Sequence, residues 1–538
     1  MITSVVALLA LSTGSLQQDP VPVFTELGGL HRKVSTENAS AQRYFDQGLA
    51  FLYGFNMDEA RRAFEAAAKL DPNCGMAWWG IAMASGPHLN ATMVPEEDAV
   101  RAWSALAKAK AGNTTAVEKD LIDAAYKRFS SNPNAERPAL DIAYSQAMVA
   151  LWKKYPNDID VAALACESEM ILHPWDLHFP GGKPKPWTEA IIKNIQRAYA
   201  MDDKHPLILH LYIHAVEGST MPYLAEEAAD TLLNLQPDLG HMVHMPSHIF
   251  VRVGRWDDAI ESNKMAIEAE KKLIAKSPQQ DDYVLYMTHN NAMLAYAAMM
   301  CGRSKLALDE YYNSLSYLSP ANLEALATYL DGYEATEYEV MIRFGEWDKI
   351  LATPDPGEKF PINRSIWHMA RSVSWAAKGD VSRARMEQAL FYEGREAALG
   401  SDSWFYFSPT ENVLKVAEHM MNGEIRLAMG DLDKSIVHLK KAVAMEDQLV
   451  YIEPPDWLMP TRHALGAVMI KAGKFAEAEA VYRADMAKTP ESGWALYGLS
   501  QALRGQGKEE EALVVDKAFN RVWAKADIPI ESSCKCVK

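Results

Sequence analysis

The chain has 538 residues, 49% hydrophobic and 23% charged, a balance that excludes a disordered or fibrous protein. Its 54 Lys+Arg against 71 Asp+Glu leave a net charge of −17. That acidity speaks against nucleic acid as a partner and against general binding to anionic membranes. Five cysteines, an odd number, are too few for a disulfide scaffold.

At the N-terminus an apolar run from Val5 to Leu11 is followed by Thr13, Gly14 and Ser15. A short apolar stretch before small residues reads as a signal peptide, assigned to residues 1–17. It is too short to span a bilayer, and no later run reaches that length. The expectation is an exported protein, periplasmic or extracellular, without a transmembrane segment. Residues 18–40 read as an N-terminal extension.

The first repeat covers residues 41–74, where Tyr44, Gly48, Phe51, Ala60, Phe64, Ala67 and Pro72 alternate large and small side chains at helical spacing. Small residues at two of these places let paired helices approach closely, and the large ones fill the seam. The pattern returns near the C-terminus. Leu465, Gly466, Ala478, Tyr482 and Pro490 form one unit. Leu496, Leu499, Leu503, Ala512 and Phe519 form the next, with Ala512 34 residues after Ala478. Gly423, Leu439 and Ala442 mark a third unit before them.

On these residues the chain resembles the tetratricopeptide repeat (TPR) family. The resemblance implies an all-α, TPR-like superhelical solenoid of roughly a dozen helical hairpins between about residues 40 and 525. Composition breaks near residues 353–361, so the array divides into 41–352 and 353–525, with a tail at 526–538. The segment 451–466, with Tyr451, Glu453, Pro454, Pro455, Trp457 and Arg462, and the phrase around His244–Trp256 resemble a large group of exported bacterial TPR proteins of unsettled function.

Histidine is unevenly spread. Nine of the 15 lie between residues 173 and 289, where even spacing would put roughly three. Within the TPR register a repeat begins at Pro206 and the next at Gly240. His210 and His214 then recur 34 residues later as His244 and His248. The resemblance puts all four on first-helix positions facing the concave groove, with His241 and Glu217 on the same side. His289 takes a similar place in a later unit.

Side chains four apart on a helix lie one above the other, and packed helices sit about 8–10 Å apart. His210, His214, His244, His248, His241 and His289 therefore become candidate metal ligands. Glu217 is a candidate base or orienter of a ligand. Pro246 would kink the second of these helices or make it start there. The long proline-rich loop after Leu172 adds His173, His178 and, more weakly, Asp176, and reads as a lid. All-imidazole coordination suits copper or zinc, with iron possible, and Met242 and Met245 tilt toward copper.

The functional expectation is a transition-metal site in the groove of an exported TPR protein. Copper would suit oxidation and zinc hydrolysis, giving a metal-dependent enzyme. The alternative is a non-catalytic scaffold or metal carrier. Partners would be a small molecule or peptide in the groove, or another protein. Cys534 and Cys536 admit a disulfide, a weak soft-metal pair or no role, the last being preferred. No phosphate loop, nucleophile elbow, HExxH or CxxC motif is present.

Overall fold

The computed structural model describes residues 21–280, 283–405 and 408–537. The signal-peptide expectation at 1–17 lies outside them. Among the described residues there are helices and three isolated bridges but no strand. The class is all-α, built of helical hairpins of TPR type, as the residue pattern led us to expect.

The chain packs as two units. Among the described residues, the first comprises those up to Phe179, Lys183–Ile249 and Ser262–Met287. The second comprises Pro180–Gly182, Phe250–Glu261 and Thr288–Lys538. The segment 353–361, which the composition suggests as a break, lies inside the second unit, ahead of the helix Pro361–Ala377.

In the first unit the helix Ala39–Tyr53 packs on Met57–Leu70, and that helix on Gly75–Ala84. The seam shows why the sequence needs small residues. Phe64 is fully buried, and a Cβ on Gly48 would come within 2.7 Å of its ring, one on Gly80 within 2.3 Å. The rings and the bare backbones thus fill the same layer. Ala60 and Ala67 are buried beside them. Asn38 caps the first helix, accepting from the Ser40 and Ala41 amides. The extension before it is packed, with Phe24 and Val34 buried.

The second unit repeats the same physics. Tyr482 is fully buried between Gly466 and Gly498, where added Cβ atoms would fall 2.3 and 2.2 Å from its ring. The 451–462 loop turns inward, with Glu453, Asp456 and Trp457 buried. Glu339 holds this turn by accepting from the Leu458 amide at 2.7 Å. Burial pushes the Glu339 carboxyl up to about 8.

The sign of the linkage follows. Between its ordinary value of 4.5 and about 8, folded Glu339 keeps a proton that the unfolded chain has released. The folded state binds more protons, so this group's contribution falls as pH rises through that window. Glu339→Gln keeps the acceptor oxygen and removes the titration. Denaturant unfolding should show a variant that is more stable than the native chain at pH 8.5, by about 3 kcal/mol. At pH 5 the two should match. An unchanged pH slope would disprove the protonated state.

Candidate metal centre

Three helical segments of the first unit bring the histidines together. His210 and His214 stand one turn apart on Pro206–Val216. His241 and His244 lie on the short helix Gly240–His244, and His248 on the following Pro246–Val253. The break at Met245 is where proline removes a donor, so the expected kink is present and both His pairs survive it.

The five imidazoles form a closed circuit. Ring centroids are 4.9 Å apart for His210–His214, 5.9 Å for His214–His248 and 4.7 Å for His248–His244. They are 5.9 Å apart for His244–His241 and 4.9 Å for His241–His210. All five are buried, the most exposed being His214 at 6%. This differs from the open groove implied by the repeat register. The reason lies in segments distant in sequence. Phe55, just after the first helix, packs its ring 4.4 Å from that of His210 and 5.9 Å from that of His241. Trp175 meets His214 edge-on at 5.5 Å. Tyr286 packs 4.5 Å from His241.

The outward nitrogens fix the inward ones. His210 Nδ1 donates to the Tyr53 carbonyl at 3.0 Å, and His244 Nδ1 to Asn263 Oδ1 at 2.6 Å. His214 Nδ1 donates to Glu217 Oε1 at 2.9 Å, and His248 Nδ1 to Glu217 Oε2 at 2.7 Å. With Nδ1 committed in this way, Nε2 is the ring nitrogen that each of these four histidines has left for a further contact. This is the arrangement that orients metal-ligating histidines.

The consequence shows in the inward contacts. His244 Nε2 and His248 Nε2 are 2.7 Å apart, two lone pairs that need a proton or a cation between them. His210 Nε2 and His241 Nε2 are 3.2 Å apart. Two bonds of 2.1 Å at a tetrahedral angle would put them at about 3.4 Å. His214 Nε2 is buried without a hydrogen-bond partner, as is His241 Nδ1. Such orphaned buried nitrogens are costly unless something completes them. The ligand atoms of His210, His214 and His241 lie within 4.8 Å of one another, and so do those of His214, Glu217 and His248.

Charge is consistent with this. Burial, reinforced by neighbouring imidazoles, pushes His210 and His241 well below the ordinary imidazole range, so they are neutral donors. Burial opposes the charge of Glu217, but His214 and His248 hold its carboxyl well below the ordinary range. The carboxylate is ionised, and it orients two imidazoles, one with each oxygen.

The candidates on the proline-rich loop fall elsewhere. His173 stacks on Trp187, with centroids 4.1 Å apart and planes 6° apart, and is outside the circuit. His178 pairs with Pro184 in an isolated bridge of the same loop. Asp176 is ion-paired with Lys185, and its carbonyl accepts from Trp187 Nε1 at 2.8 Å. The loop brings Trp175 against the histidines instead. His289 lies on the helix Val284–Met300, in the second unit. Met242 packs at Gly54.

His205 belongs to a separate network in which Asp160 accepts from His205, from Tyr53 at 2.6 Å and from Arg32 at 2.7 Å. Tyr53 thus ties this network to the carbonyl that orients His210. Phe55, Trp175 and Glu491 are the non-glycine residues with left-handed backbone among the described residues, at φ 56°, 54° and 52°. Two of the three cover the histidines. That conformation costs about 1 kcal/mol or more and persists where surroundings enforce it, often at functional sites. Sequence reasoning missed Tyr53, Phe55, Asn263 and Tyr286. None carries a local signal, and Tyr53 acts through its backbone.

No protein-family model matches the chain, and no curated protein is similar to it. Among solved structures it is similar to a human IFIT1 dimer with m7Gppp-AAAA, at 13% identity over 91% of this chain and 92% of that one, with a TM-score of 0.30. It is also similar to yeast Tom70, at 12% identity over 90% and 92%, with a TM-score of 0.28. A third is the Cut9–Hcn1 hetero-tetramer of the APC/C, at 10% identity over 90% and 74%, with a TM-score of 0.28. At these values the similarities carry no information on the histidine chamber.

Proposed function

We propose that the first unit holds a transition-metal ion on the Nε2 atoms of His210, His214, His241, His244 and His248, and that the chain is a metal-dependent enzyme. One observation carries the metal: four imidazoles whose Nδ1 atoms are tied to oxygen acceptors and whose rings meet in one buried cluster, with ligand atoms of His210, His214 and His241 within 4.8 Å of one another. Imidazole donors suit copper or zinc, and iron after them. A bound copper ion would supply electron transfer and zinc Lewis acidity. The protein's own part is to hold His210 and His241 neutral, orient the rings through Glu217, Asn263 and the Tyr53 carbonyl, and exclude water with Phe55 and Trp175.

The enzyme reading rests on two features. Five donors exceed the four a closed structural zinc site uses. The two strained aromatic residues cover the side on which Trp175 meets His214. A second reading, a metal carrier without turnover, draws on the burial of all five imidazoles. Export is part of the proposal, on the apolar run Val5–Leu11 and the resemblance to exported bacterial TPR proteins. Among the described residues no helix is long and apolar enough to cross a membrane.

Elemental analysis tests the metal directly, on full-length chain purified without a metal-affinity tag. About one copper, zinc or iron per chain surviving dialysis is the expected result. No retained metal, and no tight uptake on adding Cu²⁺, Zn²⁺ or Fe²⁺ back, would end the proposal.

A further inference from the structure

A second set of metal-ligating side chains lies in the second unit and plays no part in the histidine chamber. The C-terminal tail is inserted into that unit. Ser533 is buried; its hydroxyl donates to the His463 carbonyl at 2.8 Å and accepts from Tyr482 at 2.6 Å. Arg343 donates to the Ser533 carbonyl at 3.2 Å. These contacts carry Cys534 and Cys536 to Glu424, on the helix Thr410–Ala428. The two thiols and the Glu424 carboxyl offer ligand atoms all within 4.8 Å of one another. Cys534 Sγ lies 3.6 Å from Glu424 Oε1.

We propose that Cys534, Cys536 and Glu424 form a second cation site, for a thiophilic divalent ion of the zinc class. The 3.6 Å spacing matches what bonds of 2.3 Å to sulfur and 2.1 Å to oxygen set at a tetrahedral angle, about 3.6 Å. The Cys536 amide donates to Cys534 Sγ at 3.4 Å, a contact that favours thiolate. His463 lines the same cavity. Its Nε2 donates to Asp485 at 2.9 Å, which leaves a bare Nδ1, buried and without a partner, on the cavity wall. Met369, Met420 and Met459 line the rest and keep the site apolar.

Charge supports the same reading. Arg343 is buried and donates to the Ser533 carbonyl, one residue before Cys534. A buried guanidinium calls for an anion. Two thiolates with a divalent ion between them, one residue on either side of Lys535 and beside Arg343, meet that requirement.

Cobalt(II), added to the reduced full-length protein, is the probe. Sulfur-to-cobalt charge transfer gives a near-ultraviolet band that imidazole and carboxylate ligands do not. The unaltered chain should show it, saturating at one ion per chain. Cys534→Ser and Cys536→Ser should each abolish it, whereas His210→Ala with His248→Ala should leave it intact. Glu424→Gln should keep the band and weaken binding at least tenfold. Absence of the band from the unaltered chain, or its survival in Cys534→Ser, overturns the proposal. If the cysteine variants do not fold, alkylation of the unaltered chain decides. Zn²⁺ should slow modification of both thiols at least tenfold, and equal rates with and without Zn²⁺ overturn the site.

Discussion

Replacing His210 and His248 together with alanine is expected to strip the first unit of its ion while leaving its helices in place. The two residues sit on different helices and on opposite sides of the circuit, so the pair removes one donor from each arm. Those left behind, His214, His241 and His244, no longer close a ring. Loss of one well-placed partner even outside the ligand shell costs 10–100-fold in metal affinity, so loss of two ligands should exceed about a hundredfold. Retained metal should fall from about one ion per chain to less than a tenth of that.

The helices should persist because their hold lies elsewhere. The apolar face of Pro206–Val216 is buried through Leu207, Leu209, Ile213 and Val216, none of which is touched. Elemental analysis beside far-ultraviolet circular dichroism reads both quantities at once. A variant that is helical and fully metallated would move the ion away from these histidines.

Glu217→Gln is expected to do damage of a different kind. Glu217 accepts from His214 and His248 with separate oxygens, 2.9 and 2.7 Å away. An amide has one acceptor oxygen, and its NH2 group faces the other imidazole with a donor. That imidazole must move its proton to Nε2 and cap the nitrogen meant for the metal. Affinity should fall 10–100-fold with all five histidines present. Glu217→Ala should add a cost in stability of about 3 kcal/mol, since two Nδ1–H groups are then buried without acceptors. Metal titration gives the first effect and denaturant unfolding of the metal-free protein the second. Unchanged affinity in Glu217→Gln would mean that the carboxylate orients nothing.

Much of this was legible in the residues alone. The 34-residue spacing carries His210 and His214 onto His244 and His248, and these do converge. Pro206 opens its helix, and Pro246 breaks the next one where the missing N–H requires it. Gly48, Phe64, Gly466 and Tyr482 read as a packing layer because a ring and a missing Cβ are complementary at helix spacing. Such features are local: they depend on periodicity and on the chemistry of single residues.

The loop histidines were less legible. His173 and Asp176 have the right donor atoms, yet stacking on Trp187 and the ion pair with Lys185 claim them, and a backbone bridge to Pro184 keeps His178 in the same turn. The Cys534–Cys536 tail looked inert, because nothing in its own neighbourhood announces Glu424, 110 residues earlier.

The sequence by itself determined the all-α repeat architecture and the histidine register. Only the tertiary structure decided which imidazoles meet, what holds the Nδ1 of four of them, and that all five are buried. The reason is physical. Periodicity governs which face of a helix a side chain takes, over one or two turns. Tautomer and burial depend on what packs against that face. Here that is the Tyr53 carbonyl, the Phe55 ring and Asn263, groups brought in from elsewhere in the chain by the packing of the whole unit.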